Sequence, residues 1–105
     1  MLVAHQVSLQ VARQMGPIIH VVRRHDRDLA SQIQRATSSV VLNIGEGWRR
    51  YGGDQRRFYQ MAFGSAGEVK AALDVAELWG WLKPEPALMA LIDRLFRLLY
   101  GLTRR

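Results

Sequence analysis

The sequence predicts an all-α protein that folds as one antiparallel up-down four-helix bundle over residues 1–105. Three observations predict this fold class. Apolar residues recur every three or four positions in four successive segments, as they do in amphipathic helices. No segment is a convincing strand. The connections between the segments are short, which favours neighbouring helices that run antiparallel.

The first helix is predicted from about Val3 to Arg24. Gly16 and Pro17 interrupt it, and we expect a kink there because proline lacks a backbone donor and clashes with the preceding turn. The β-branched residues that follow would suit a strand, but the wider apolar spacing is helical. The apolar positions of this helix are Val3, Val7, Val11, Ile18 and Val22.

The second helix begins near Arg27, where Asp26 or Asp28 can interact with its positive N-terminal end. The turn Gly52-Gly53-Asp54 follows it, and Asp54 is a candidate cap for the third helix. A single apolar stripe is formed by Leu29, Ile33, Ala36, Val40 and Ile44.

The third helix is predicted to end near Trp81, because Gly80 and a proline-rich segment close it. Its small residues at 64–67 would let another helix approach closely. The residues predicted to face inward are Phe58, Met61, Ala62, Ser65, Val69, Ala72, Leu73 and Ala76. The fourth helix carries Leu88, Leu91, Ile92, Leu95, Leu98, Leu99 and Leu102.

Composition excludes several classes of site. The chain has no cysteine, so it has no disulfide and no thiolate metal site, which fits a reducing compartment. His5, His20 and His25 lack metal-ligand spacing, and we expect neither a metal nor a cofactor. No apolar segment approaches the roughly 20 residues needed to cross a bilayer, and no secretion signal is visible. These features predict a cytoplasmic protein with no membrane partner.

The net charge of +6 is distributed unevenly. Residues 1–57 hold nine arginines against four carboxylates, a net charge of +5, whereas the remaining residues have a net charge of +1. A basic half favours a polyanionic partner, chiefly nucleic acid. Two alternatives remain open at this point. The arginine content can reflect a high-GC genome, and the arginines can form a solvated face with ion pairs to Asp26, Asp28 and Asp54.

The candidate nucleic-acid-binding residues lie at two helix ends and in the turn after the second helix. Arginine can bond two phosphate oxygens at once, and an aromatic ring among arginines can stack on an unpaired base. The alternative for the aromatic residues here, including Tyr59, Trp79 and Trp81, is packing against helices or subunits. The candidates are Arg23, Arg24, Arg27, Arg49, Arg50, Arg56, Arg57, Trp48 and Tyr51.

Asn43 and Glu46 lie three residues apart on one helix face, and Gly47 follows them. Glycine inside a helix costs about 1 kcal/mol, which indicates a specific role for this segment. We interpret Asn43, Glu46 and Glu68 as a hydrogen-bonded network inside the bundle or across a subunit interface. Its candidate partners are Arg35, Arg49 and Arg50. A ligand-binding or catalytic carboxylate pair is the alternative, but no nucleophile or metal cluster accompanies these residues, so we expect no enzyme.

The segment Leu29–Leu82 resembles the four-helix-bundle family first noted in open reading frames within 23S rRNA intervening sequences. Val41 departs from the family pattern, which usually has proline there, and so the local helix geometry is expected to be more regular. The matching stretches are SQIQRA (31–36), SV (39–40), NIGEG (43–47), RR (49–50), FYQMAFGSAGE (58–68) and LWGWL (78–82).

The resemblance implies a cytosolic bacterial protein that assembles as a ring of identical subunits, often five. The chain is also similar to the accessory protein of diversity-generating retroelements, a basic pentameric bundle that binds nucleic acid and a reverse transcriptase. We therefore predict a non-enzymatic homo-oligomeric ring that acts as a basic scaffold for RNA or DNA. In this prediction Asn43, Glu46, Gly47 and Glu68 build the subunit contact. The alternative is a protein-interaction adaptor that docks a partner enzyme such as a reverse transcriptase.

Overall fold

The computed structural model of the chain describes residues 2–104, which form four helices and no strand. The predicted all-α class is confirmed. The helices are α1 (Val3–Arg23), α2 (Arg27–Trp48), α3 (Gly52–Leu78) and α4 (Pro86–Thr103). Each helix packs on its sequence neighbours, and α1 also packs on α4, which closes a four-helix arrangement measuring 42 × 25 × 20 Å. None of the helices in this range is long and apolar enough to cross a membrane.

The apolar stripes predicted for α2 and α4 form the centre of the core. Ile33, Ala36, Val40 and Ile44 are buried on α2, and Leu29 is half-buried at its first turn. On α4 the buried residues are Leu88, Ile92, Leu95, Leu99 and Leu102, with Leu91 and Leu98 packed beside them. Each stripe is a run of aliphatic side chains at helical spacing, so burial of that face follows from the hydrophobic effect.

Helix α1 continues through Pro17 without a break, and both Gly16 and Pro17 face solvent. The predicted inward residues Val7, Val11 and Val22 are buried. Val3 is exposed, because the side chain that enters the core at this end of the helix is Ala4.

The start of α2 is capped by Asp26, whose carboxylate oxygen Oδ1 accepts a hydrogen bond from the Leu29 amide at 3.0 Å. Asp28 lies in the first turn. A side-chain acceptor at this position satisfies one of the amides that a helix leaves unbonded at its N-terminus.

Two predictions about the ends of α3 are wrong. Asp54 does not cap the helix, because α3 already begins at Gly52 and Asp54 lies within its first turn. The helix ends at Leu78, before the predicted Trp81. Gly80 adopts a positive φ of 75°, its amide donates to the Glu77 carbonyl, and the Trp81 amide donates to the carbonyl of Ala76. This is the hydrogen-bond pattern of a Schellman motif, which turns the chain away after the helix.

The inner face of α3 also differs from the prediction at one position. Met61 is 45% exposed, whereas Tyr59 is only 3% exposed. The buried residues Tyr59, Ala62, Ala66 and Val69 follow one another at intervals of three and four. Met61 precedes Ala62 by one residue and therefore points about 100° away from this stripe.

Candidate nucleic-acid interface at the two poles

The antiparallel arrangement gives the bundle two poles that carry different parts of the candidate site. At the first pole lie the α1–α2 and α3–α4 connections, which meet where the His25 ring stacks on Trp81. At the second pole lies the α2–α3 connection. The first pole carries Arg23, Arg24 and Arg27. The second pole carries Trp48, Arg49, Arg50, Tyr51, Arg56 and Arg57.

The second pole contains a chain of alternating arginines and carboxylates. Arg49 Nη2 donates to Glu46 Oε1 at 2.7 Å, and Arg50 Nη2 donates to Glu46 Oε2 at 3.1 Å. Arg50 Nη1 also donates to Asp54 Oδ2 at 2.7 Å, and Arg57 Nη2 donates to Asp54 Oδ1 at 3.1 Å. The ion pairs to Asp54 that the alternative of a solvated face includes are therefore present, and Arg50 joins the end of α2 to the start of α3.

These hydrogen bonds shift the acidities of the groups that they join. Hydrogen bonds from Arg49 and then Arg50 lower the pKa of Glu46, and those from Arg50 and Arg57 lower the pKa of Asp54. The hydrogen bonds to Asp54 and Glu46 raise the pKa of Arg50. All three groups consequently stay charged at neutral pH, and two carboxylates offset part of the positive charge at this pole.

The turn that presents these charges is built around Gly47 and Gln55. Gln55 Nε2 donates to the carbonyls of Gly47 at 3.1 Å and Arg50 at 2.7 Å. The Gly47 carbonyl also accepts from the Arg50 amide at 3.0 Å, so the Gln55 side chain adds a second hydrogen bond there and ties the end of α2 to the first turn of α3. A Cβ atom on Gly47 would lie 2.7 Å from Tyr59 Cε1. Glycine therefore lets α2 approach the buried Tyr59 ring.

The aromatic candidates at the second pole are open to solvent. Tyr51 is 88% exposed, and Trp48 is also exposed. Tyr51 lines a surface depression together with Glu46, Arg49, Arg50 and Asp54. Within the chain these two rings therefore do not pack into the core, in contrast to Tyr59, for which packing is confirmed.

The arginines of the first pole, unlike most of those of the second, are not paired with carboxylates within residues 2–104. Arg23 Nη2 donates to Gln34 Oε1 at 3.2 Å, and Asp26 is engaged as the cap of α2. In the described part of the chain, Arg24 and Arg27 form no ion pair. Among residues 2–104 the ion pairs with Asp26 and Asp28 that the alternative of a solvated face includes are absent. The Asp26 carboxylate accepts from the Leu29 amide instead.

The polar motif residues do not form one network within the chain. Asn43 Nδ2 donates to the carbonyl oxygen and to Oγ of Ser39, both at 2.9 Å, and Ser39 Oγ lies 2.8 Å from Ser65 Oγ. Glu46 bonds to its predicted partners Arg49 and Arg50 instead. Asn43 therefore helps to join α2 to α3, whereas Glu46 belongs to the second pole.

Glu68 lies apart from both Asn43 and Glu46. It is exposed and lines a surface depression with Leu29 and Gln32, near the beginning of α2. The separation follows from the antiparallel pairing, because the contact between Ser39 and Ser65 places later residues of α3 beside earlier residues of α2. The interpretation of a common network inside one subunit is wrong. Arg35, a predicted partner, forms no ion pair with any residue of the range 2–104.

Helix α3 has a second, outward face that apolar spacing alone does not distinguish from its core face. Six exposed residues recur on it at intervals of three and four. They are Met61, Gly64, Glu68, Ala71, Val75 and Leu78. Leu78 is 77% exposed, and a Cβ atom on Gly64 would meet nothing within 4 Å. The packing of a single chain accounts for neither the apolar residues nor the glycine on this outer face of α3.

The aromatic contact of His25 is the other feature of the site that the residue pattern does not predict. Its imidazole lies parallel to the Trp81 indole, which in turn stacks on Trp79. The only signal in the sequence is that His25 follows two arginines at a helix end. Residues 2–104 contain no cluster of three His, Cys, Asp or Glu side chains that could hold a metal ion.

Comparisons with known proteins agree with this architecture. The family model described as 23S rRNA-intervening sequence protein matches residues 2–101. A similar solved structure is the crystal structure of a protein of unknown function from the S23 ribosomal protein family of Bacteroides thetaiotaomicron. It has a TM-score of 0.87 at 17% sequence identity, and the match covers 97% of this chain and 99% of that one. No curated protein matches the chain.

Proposed function

The chain belongs to the family of 23S rRNA-intervening sequence proteins, and from this premise we propose that it is a non-enzymatic, homo-oligomeric basic scaffold for RNA or DNA. The observation that carries the proposal is the exposed arginine at both ends of the bundle. At the first pole, Arg24 and Arg27 lack a carboxylate partner within residues 2–104. Their guanidinium groups are therefore available to phosphate oxygens without breaking an existing ion pair.

The second pole contributes in a different way. Arg49 has 70% of its side chain exposed, although it bonds to Glu46, so a phosphate can approach its free face. Arg50 is tied to two carboxylates and acts mainly to position its neighbours. Arg56 and Arg57 extend the basic surface. Tyr51, which lines a depression with Arg49 and Arg50, offers a ring for stacking on an unpaired base.

Assembly into a ring would multiply these modest charges. Each copy repeats the same arginines around the ring, and simultaneous contacts raise the overall affinity through effective concentration. The resemblance to the 23S rRNA intervening-sequence family supports a ring of five subunits. It also supports a cytoplasmic location. A cyclic pentamer requires a head-to-tail contact between two different surfaces of the same chain.

The outer face of α3 suits one side of that contact, and the outward side of α2 suits the other. Gly64 and Ala71 on α3 leave room for close approach, and the exposed Leu42 on α2 supplies an apolar side chain. The charges are complementary, because Glu68 on the first surface and Arg35 on the second lack ion pairs within the described chain. We assign this contact to a second copy of the chain.

A salt titration of nucleic-acid binding tests the scaffold function. Filter binding of a structured RNA should weaken linearly in log Kd against log salt, since each phosphate contact releases condensed counterions. The double variant Arg24→Gln, Arg27→Gln should reduce the slope by about 0.7 to 0.9 for each lost contact. Asp93→Asn on α4 is a control that should leave the slope unchanged. Wild-type binding that does not depend on salt would contradict the proposal.

A protein-interaction adaptor is the second candidate function, and the exposed apolar residues of the outer face of α3 favour it. In that case the face would dock a partner enzyme, such as a reverse transcriptase, in place of a second copy. Capture of a purified reverse transcriptase should then survive Arg24→Glu and Arg27→Glu but fail after Leu78→Ser or Val75→Ser. Capture that is lost in the arginine variants but retained in Leu78→Ser and Val75→Ser would favour the nucleic-acid scaffold.

A further inference from the structure

Three aromatic rings stack in order at the first pole. The His25 and Trp81 ring centroids are 5.2 Å apart, and the two planes differ by 4°. Trp81 also stacks on Trp79, with centroids 6.5 Å apart and 27° between the planes. The stack joins the α1–α2 connection to the α3–α4 connection, so residues from opposite halves of the chain build one surface.

The outer end of this stack is open to solvent. Trp79 is 65% exposed, whereas Trp81 is half-buried and packs against the core. Trp79 follows the last residue of α3 and precedes the turn at Gly80, whose hydrogen bonds fix the local backbone. Since the backbone on both sides of Trp79 is hydrogen-bonded and its ring already contacts Trp81, less conformational freedom remains to be lost when a planar ligand stacks on it.

Two arginines next to His25 in the sequence form no ion pair within residues 2–104, although Asp26 and Asp28 lie between and after them. Arg24 directly precedes His25, and Arg27 begins α2 two residues after it. Within residues 2–104 neither arginine is bonded to a carboxylate, in contrast to Arg49 and Arg50 at the second pole. Planar rings beside unpaired arginines match the two parts of a nucleotide, a flat base and a phosphate.

We infer that His25, Trp81 and Trp79 form a stacking platform for an unpaired base of single-stranded nucleic acid. Arg24 and Arg27 contact the neighbouring phosphates. The inference rests on the proposed function and specifies its ligand. Because every base has a π-face, such a platform binds strands with little sequence preference. Trp79 presents the accessible ring, and His25 and Trp81 position it.

Binding of two labelled strands of equal length, a uridine oligonucleotide and its abasic counterpart, tests the platform. Trp79→Ala should weaken binding of the uridine strand about tenfold, since stacking supplies that order of affinity for each base. The same variant should bind the abasic strand as the wild type does. The salt slope should be unchanged by Trp79→Ala but reduced by about 0.7 by Arg24→Gln.

Controls separate the platform from folding, assembly and the wider scaffold function. Tyr100→Ala removes another exposed aromatic ring, on α4, and should leave both affinities unchanged. Helical content and oligomer mass should be the same for Trp79→Ala and wild type. Equal affinity of Trp79→Ala and wild type for the uridine strand would overturn the stacking platform but not the scaffold function. A lower oligomer mass of Trp79→Ala would also overturn the platform, because Trp79 would then be a subunit-contact residue. A wild-type protein that binds neither these strands nor structured RNA would overturn the scaffold function as well.

Discussion

Gly47 shows how one residue shapes the second pole. A Cβ atom at this position would lie 2.7 Å and 2.9 Å from two carbons of the Tyr59 ring and 3.2 Å from Phe58 Cβ. Tyr59 is buried and has little room to move, so the absence of a side chain on Gly47 sets the distance between α2 and α3. The same close contact brings Arg50, at the end of α2, within reach of Asp54 on α3.

Replacing Gly47 by alanine should destabilise the protein by about 1–2 kcal/mol. Overpacking of a core contact costs about 1–3 kcal/mol, and two approaches under 3.0 Å place this contact at about 2–3 kcal/mol. The better helix propensity of alanine recovers about 1 kcal/mol of that cost. Thermal unfolding at fixed protein concentration should show a Tm lower by about 4–16 °C. Gly67→Ala is the matched control, since a Cβ there meets nothing within 4 Å, and its Tm should not fall. An unchanged Tm for Gly47→Ala would contradict this packing account.

Glu46 makes the stability of the second pole dependent on pH. Its folded-state pKa is below the ordinary 4.5, because Arg49 and Arg50 bond to the ionised carboxylate. The ion pairs therefore stabilise the fold at pH above 4.5, and their contribution is lost as pH falls through the lowered pKa. Glu46→Gln should have a slightly lower Tm than wild type at pH 7 and the same Tm at about pH 2. A difference in Tm between Glu46→Gln and wild type that is as large at about pH 2 as at pH 7 would contradict the role of these ion pairs.

At the scale of the helix, α3 carries apolar or small residues on two opposite faces. Its inner face packs on the core through Ala62, Ala66 and Val69, whereas its outer face exposes Val75 and Leu78. Helices α2 and α4 carry one clear aliphatic stripe each. The apolar and small residues on the outer face of α3 are the ones that the proposed subunit contact would bury.

A charge exchange tests the proposed contact between the outer face of α3 and the next subunit. Glu68→Arg and Arg35→Glu should each lower the oligomer mass measured by light scattering, since like charges would face each other across the interface. Combining the two substitutions should restore the mass, because the ion pair forms with reversed polarity. Asp93→Arg, a charge reversal on α4, should leave the mass unchanged. Single variants with wild-type mass would exclude this pair of surfaces.

The number of apolar faces on a helix also explains for which helices the sequence predicts the buried face correctly. The stripes of α2 and α4 were predictable because large aliphatic residues occupy a single face. The apolar pattern of α3 fits more than one inward face, and for this reason it predicts a buried Met61 where Tyr59 is the buried residue. The predicted end of α3 is too late, because propensity does not show which carbonyls the amides of Gly80 and Trp81 will bond.

The candidate site was predictable to the extent that its contacts are local. Glu46 reaches Arg49 and Arg50 over three and four residues, a spacing that sequence shows directly. The stack of His25 on Trp81 was not predictable, because it depends on how two distant connections meet at one pole. The position of Glu68, away from Asn43, likewise depends on the register between α2 and α3.

At the scale of the whole molecule, the proposed subunit contact and the proposed nucleic-acid-binding residues lie on different parts of the bundle. The long outer face of α3 lies along the side of the molecule, and the arginines lie at its ends. Subunits can therefore associate side by side without covering the basic poles. Such an assembly would present rings of arginine at both ends, and the platform at Trp79 would be repeated once per subunit.

The most direct test of this account is multi-angle light scattering of the purified protein, with and without structured RNA, at low and at physiological salt. The account predicts a particle of about five times the 12.0 kDa chain. The particle should gain mass with RNA at low salt and lose that gain as salt rises, because screening and counterion competition weaken phosphate contacts. A monomer at micromolar concentration, or an oligomer whose mass RNA does not change at low salt, would contradict the basic-ring scaffold.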